Sequence, residues 1–218
     1  MLAAVESLNA VEIRVLGCLL EKDITTPEYY PLTLNALVNA CNQKSSREPV
    51  VQYDERTVAQ ALELLKSKGL ATRLSGPGHR VEKFGHRLGE QLNLGRREVA
   101  LLCVLMLRGP QTVGELRGRT ERMHDFADLD EVTRVLDSLA AREAGALVRE
   151  GSRGRWWHLL GDAAEMESEG QSPPGPTGAP ARLDAEGSAQ RLEDRVAALE
   201  REVAELRAAL DSLRRQFE

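Results

Sequence analysis

Over the first 160 residues the apolar positions recur at helical spacing, and they do so twice in the same order. Val58, Ala61, Leu62 and Leu65 stand at i, i+3, i+4 and i+7, which predicts a helix with one buried face. Lys68-Gly69-Leu70-Ala71-Thr72-Arg73-Leu74 follows. Seventy-four residues on, Val132, Val135, Leu136 and Leu139 repeat the stripe, followed by Gly145-Ala146-Leu147-Val148-Arg149-Glu150. Two further helical patterns precede each stripe: Asn9 to Glu21 and Leu32 to Cys41 in the first half, Arg96 to Leu107 and Thr112 to Thr120 in the second. A hairpin pattern follows each. The first runs from Leu70 to Leu74, turns at Ser75-Gly76-Pro77-Gly78 and returns from Arg80 to Phe84. The second runs from Ala146 to Glu150, turns at Gly151-Ser152-Arg153-Gly154 and returns from Arg155 to Leu159.

Helix, helix, helix, hairpin, repeated, is the order of the winged helix-turn-helix. Local chemistry supports the boundaries. Gly69 supplies a left-handed position after the first stripe, and Leu70 then starts the wing strand. Asp128-Leu129-Asp130-Glu131 reads as a capping box, and Asp54 can cap the helix that starts after it. Pro27 suits the first position of a short helical turn, with Tyr29 and Tyr30 as packing residues. The fold class expected is therefore α+β, mainly α with small β-hairpins: two tandem winged helix-turn-helix domains over 1–90 and 91–160.

The segment 161–189 contains Ser172-Pro173-Pro174-Gly175-Pro176-Thr177-Gly178-Ala179-Pro180, where proline removes donors and glycine relaxes φ, so a flexible linker is expected. After it, Leu192, Val196, Leu199, Val203, Leu206, Leu210, Leu213 and Phe217 alternate spacings of four and three. That 3.5-residue period predicts a coiled-coil helix over 190–217. In a parallel homodimer Arg195 would face Glu200 of a second copy, and Glu202 would face Arg207, both attractive.

Composition adjusts this picture in two places. Forty-two per cent hydrophobic residues support a packed core, and 4% aromatic is low for a β-rich chain. The formal charge is −5, but residues 1–163 carry 22 basic and 22 acidic side chains, and the remainder carries 7 against 12. A strongly basic nucleic-acid coat is excluded, and so is a wholly disordered chain. Cys18, Cys41 and Cys103 have no paired spacing, and Cys18 and Cys103 sit inside apolar runs as small hydrophobes. No apolar run approaches the roughly 20 residues that span a bilayer. A soluble, cytoplasmic protein of a reducing compartment is expected, with no membrane contact.

Several strings then carry a resemblance. Leu19-Leu20-Glu21-Lys22, Thr25-Thr26-Pro27-Glu28-Tyr29-Tyr30-Pro31-Leu32, Ala40-Cys41-Asn42-Gln43-Lys44 and Arg47-Glu48-Pro49-Val50 are similar to the bacterial YceH family. So are Leu107-Arg108-Gly109-Pro110-Gln111-Thr112, Gly114-Glu115-Leu116-Arg117, Arg122-Met123 and the heptads around Val196-x-x-Leu199-Glu200-x-Glu202-Val203. The resemblance spans nearly the whole chain outside the linker. It implies a tandem winged-helix body with a C-terminal helical tail, and it supplies no activity, cofactor or site residue.

Function must then come from the residues. Winged helices most often place the third helix in the major groove and the wing on the backbone. In the first repeat that helix would offer Arg56, Thr57 and Gln60, and the preceding loop Lys44, Ser45, Ser46 and Arg47. The first wing offers His79 and Arg80, and the second Arg153 and Arg155 beside Trp156-Trp157, which reads as a core residue with a strand-edge neighbour. Against this, Asp54 and Glu55 head the first third helix, and Asp128, Asp130 and Glu131 head the second, where carboxylates repel phosphate. The stretch Asn42 to Pro49 is longer than an ordinary turn of this motif. It is either a recognition loop or a structural one in which Asn42 and Gln43 cap the second helix and Arg47 pairs with Glu48. His79, His86, His124 and His158 are scattered and read as surface histidines. No nucleotide-binding, metalloprotease or nucleophile-elbow motif is present, so the chain is read as a non-enzyme without cofactor or metal. The leading expectation is a regulator that binds double-stranded DNA, paired through its coiled coil. The alternative is an adaptor whose winged helices dock a protein partner.

Overall fold

A computed structural model describes residues 7–74 and 81–161. Helix α1, Ala10–Thr25, begins at Asn9, whose side chain accepts from the Glu12 amide while the Glu12 carboxylate accepts from the Asn9 amide, each at 2.9 Å. This reciprocal cap satisfies two amides that a helix start leaves open. The helix runs four residues beyond the Glu21 predicted, and Val15, Leu16, Cys18, Leu19 and Leu20 are fully buried. A 3-10 turn over Pro27–Tyr29 leads to strand β1, Leu32–Thr33, then α2, Leu34–Cys41, and α3, Glu55–Ser67. Strands β2, Ala71–Leu74, and β3, Lys83–His86, form the hairpin. A short helix α4, Leu88–Leu92, leads into the second half.

That half repeats the plan. Helix α5, Arg96–Arg108, is followed by β4, Gln111–Thr112, α6, Val113–Thr120, and α7, Leu129–Ala140. Strands β5, Val148–Glu150, and β6, Arg155–His158, close it. Both sheets are antiparallel with three strands, ordered β1-β3-β2 and β4-β6-β5. Arg73 lies opposite Phe84 and Arg149 opposite Trp157. The described part is thus α+β, with seven α-helices and two small sheets.

Two predicted details are corrected. The sequence pattern predicts helix at Leu32–Thr33 and Thr112, but Leu32–Thr33 and Gln111–Thr112 are extended edge strands, because Thr33 and Thr112 stand outside their helices as caps. Tyr29 was read as a packing residue and is 71% exposed, whereas Tyr30 is half-buried and its hydroxyl accepts from the His86 amide at 2.6 Å.

One core runs through both halves, and α1 and α5 pack directly against each other at its centre. The contact is close at Gly17. A Cβ there would lie 2.9 Å from Leu107 Cδ2 and 3.3 Å from Met106 Cβ. Alanine is the better helix former by about 1 kcal/mol. Overpacking a dense interior costs about 1–3 kcal/mol. We expect Gly17→Ala to lower the denaturant midpoint, and an equal or higher midpoint would show that the seam can relax.

Candidate nucleic-acid interface

Asp54 caps α3 by accepting from the Thr57 amide at 2.7 Å, and it also takes the Thr57 hydroxyl. Those bonds hold its carboxyl below the usual range. Arg56 and Gln60, one turn apart, are both exposed on α3, while Val58, Ala61, Leu62 and Leu65 face the core. Thr57 is half-buried, and its hydroxyl is spent on the cap. The same outer surface carries Glu55, Glu63 and the 47% exposed Leu64. In the second half Asp128 accepts from the Glu131 amide at 2.7 Å, as expected of a cap. The Glu131 carboxylate instead takes the Ala127 amide at 2.9 Å and pairs with Arg97 at 3.1 Å. Leu129, Asp130, Arg134 and Asp137 are exposed on α7.

The loop between α2 and α3, residues 42–54, is a structural element. Asn42 bonds Tyr53 at two points, each 2.8 Å, and so closes its base. Arg47 was expected to reach phosphate. Its side chain is instead fully buried, with Nη1 and Nη2 on the two oxygens of Glu21 at 3.1 and 2.6 Å. Its Nε donates to the Ala40 carbonyl at 3.1 Å, and Nη2 also reaches Gln43 at 3.0 Å. Arg47 therefore pairs with α1, not with Glu48, because the two Glu21 oxygens match its planar fork. Burial alone would push the guanidinium down, but the bond and charge of Glu21 outweigh it and raise it. Burial likewise pushes Glu21 up, and Arg47 more than reverses this. Arg14 adds bonds to the Pro49 carbonyl at 2.6 Å and the Cys41 carbonyl at 3.4 Å.

The same loop fastens the two halves. The Glu48 amide donates to the Leu107 carbonyl at 2.8 Å, and Arg108 Nη2 donates to Ser46 Oγ at 2.7 Å. Lys44 and Ser45 stay exposed. Burial, Arg119 and Arg47 together push the Arg108 guanidinium below its ordinary value. Nearby, Glu115 is held by Arg155 at 3.0 Å and faces Arg119 at 3.6 Å.

The second hairpin divides its candidates. Arg153 is exposed with φ 60°, while Arg155 is half-buried and engaged by Glu115 and by the Pro110 carbonyl at 3.0 Å. Trp156 is buried and Trp157 is half-buried beneath Arg149 at 5.9 Å, as the core-plus-edge reading expects. His158 is a further correction. It is buried, not at the surface, because it alternates with Trp156 on the inner face of β6. Burial lowers it to about 4. His79 and Arg80 lie outside the described residues, as do Leu192, Val196, Leu199, Val203, Leu206, Leu210, Leu213 and Phe217. The three cysteines are buried and unpaired, and the Cys18 and Cys41 thiols hydrogen-bond to each other. Among the described residues no group of three or more His, Cys, Asp or Glu side chains could hold a metal, and no helix is long and apolar enough to cross a membrane.

The structure thus brings Arg56 and Gln60 together on one exposed face and keeps Lys44 exposed, while Arg47, Arg155 and the Thr57 hydroxyl serve the fold. A family model described as "Protein of unknown function, DUF480" matches residues 8–154. The chain belongs to this family. Its relatives include a UPF0502 protein of Solibacter usitatus, 54% identical over 97% of this chain and 98% of its own. Another, from Pelobacter propionicus, is 50% identical over the same shares. UPF0502 protein YceH of Salmonella newport is 45% identical over 94% of this chain and 95% of its own. The resemblance to the YceH family read from the sequence is therefore correct.

Proposed function

We propose that each half of the body is a winged helix-turn-helix and that the protein is a regulator binding double-stranded DNA through its first repeat. The element order and the first-third-second strand order of both sheets support the fold reading. The observation that carries the function is the placement of Arg56 and Gln60 on the exposed face of α3, where arginine and glutamine can reach guanine and adenine edges. In this reading Lys44 meets phosphate from the loop ahead of α3. The heptads of 190–217 pair two copies and raise the effective concentration at paired sites.

Fluorescence anisotropy of duplex fragments over a salt series tests it. The slope of log K against log salt is about −0.9 per phosphate contact on B-DNA. Lys44→Glu with Arg56→Glu is expected to weaken binding at least tenfold, since a base or phosphate contact of this kind is worth about 1–3 kcal/mol. Unchanged affinity in that double variant would refute the assignment of these residues. No binding by the wild type at low salt would refute DNA binding itself and leave the second reading, a protein-docking adaptor. One observation favours that reading: the outer faces of α3 and α7 mix carboxylates with an exposed leucine, Leu64 and Leu129 at 47% and 49%. Pull-down with the full chain as bait, retained by the wild type and lost in Leu64→Asp or Leu129→Asp, would then support it.

A further inference from the structure

Neither third helix carries a positive excess, whereas basic side chains gather at the seam between the halves. On α3 with its two caps, Arg56, Lys66 and Lys68 stand against Asp54, Glu55 and Glu63, and Lys68 is already paired with Glu12 at 2.8 Å. On α7, Arg134 stands against Asp128, Asp130, Glu131 and Asp137. The α3 surface is balanced and the α7 surface is net acidic. At the seam the balance reverses. Glu21 already answers Arg47 and Lys22, at 2.6 and 3.3 Å, and Glu115 already answers Arg155 and Arg119. Arg108 is a fifth cation in this group. Its hydrogen bond goes to the neutral Ser46 hydroxyl, and among the described residues it forms no ion pair. Glu48 and Glu21 act on it against Arg119 and Arg47, and neither carboxylate is its ion-pair partner.

We infer that Arg108, lent by the second repeat and aimed by Ser46, forms with Arg119 a phosphate-binding site that continues the Lys44 loop of the first repeat. This rests on the DNA reading above and names where the duplex backbone is gripped. The guanidinium suits the role, because its planar donors match phosphate oxygens in pairs. Crowding of Arg108 by Arg119 and Arg47 is relieved when an anion arrives, so the site gains from phosphate what its own carboxylates leave uncompensated. The arrangement also gives the second repeat a part in binding that its acidic α7 would deny it. Ser46 fixes one edge of the guanidinium and limits the freedom lost when the other edge binds.

The salt series decides this on the full chain, with Arg108→Gln, Arg119→Gln and Arg108→Lys as variants. Thermal unfolding of each serves as the fold control. Each glutamine variant is expected to make the slope shallower by about 0.9, the share of one phosphate, and Arg108→Lys to restore it, since lysine keeps the charge. If the wild type binds and neither glutamine variant moves the slope, the seam site is wrong and the α3 assignment stands. If the wild type does not bind at low salt, DNA binding itself fails and the seam site falls with it. Should Arg108→Gln unfold, Arg119→Gln decides alone, because Arg119 is partly exposed and its only ion pair among the described residues is the 3.6 Å one with Glu115.

Discussion

Replacing Arg47 with alanine is expected to cost about 3–5 kcal/mol of stability, as removal of one partner of a buried ion pair does. The cause is what stays behind. Glu21 would keep only Lys22 at 3.3 Å, while the Ala40 carbonyl and Gln43 would each lose a donor. The pair also holds the α2–α3 loop against α1, and that loop carries the Glu48–Leu107 and Ser46–Arg108 bonds to the second half. Denaturant unfolding measures the loss. A double replacement, Glu21→Leu with Arg47→Met, is expected to recover much of it, because apolar residues of similar volume avoid both desolvation penalties. An Arg47→Ala midpoint equal to wild type would mean that the loop is held by its backbone bonds alone. The same pair sets an acid limit. Glu21 is held below its unfolded value, so its contribution is complete above the ordinary carboxylate range and is lost as pH falls through its lowered folded value.

The contrast between Arg47 and Arg56 shows how far the sequence could be read. The stripes at Val58 to Leu65 and Val132 to Leu139 announced α3 and α7, because burial of one helix face imposes a period that no tertiary detail alters. The capping aspartates, Asp54 and Asp128, were equally legible, since a cap is a bond between near neighbours in the chain. Arg47 and Arg56 look alike as letters in polar surroundings. What separates them is Glu21, 26 residues away on α1, and no local pattern states that pairing. Arg108 is the converse case. It ends an apolar run as a helix C-terminal cation commonly does, and only the packing of α5 against the first-repeat loop places it on Ser46, while α6 brings Arg119 to it. The two-residue strands β1 and β4 were missed for a related reason, since each exists by pairing with a hairpin strand far along the chain. The inward side of His158 required the register of β6, which sets Trp156 and His158 on the same face.

His158 is expected to make stability depend on pH in mildly acid solution. Its imidazole is buried and held at about 4 by burial alone, against about 6.5 in an unfolded chain. The unfolded state therefore binds the proton first, and stability rises with pH across this interval. Its contribution is complete above about pH 6.5 and declines as pH falls toward 4, by about 3 kcal/mol on 1.36 kcal/mol per unit. The direction is the same as that of Glu21, but the window is higher, so the two separate on a pH series. His158→Gln is expected to flatten the curve between pH 6.5 and 4.5 while leaving the steeper acid limb in place. The readout is the slope and not the absolute stability, because the substitution also alters the His158 Nδ1 contact with the Leu160 amide at 3.4 Å. That contact lies beside the point where the Leu8 amide bonds the Leu160 carbonyl at 2.8 Å and ties the start of the body to its end. Protonating His158 would thus load the chain two residues before that bond. Hydrogen exchange of the Leu8 amide is expected to quicken as pH falls through the same window, after correction for the intrinsic rate. Exchange that tracks only the acid limb would assign the weakening to Glu21 and acquit His158.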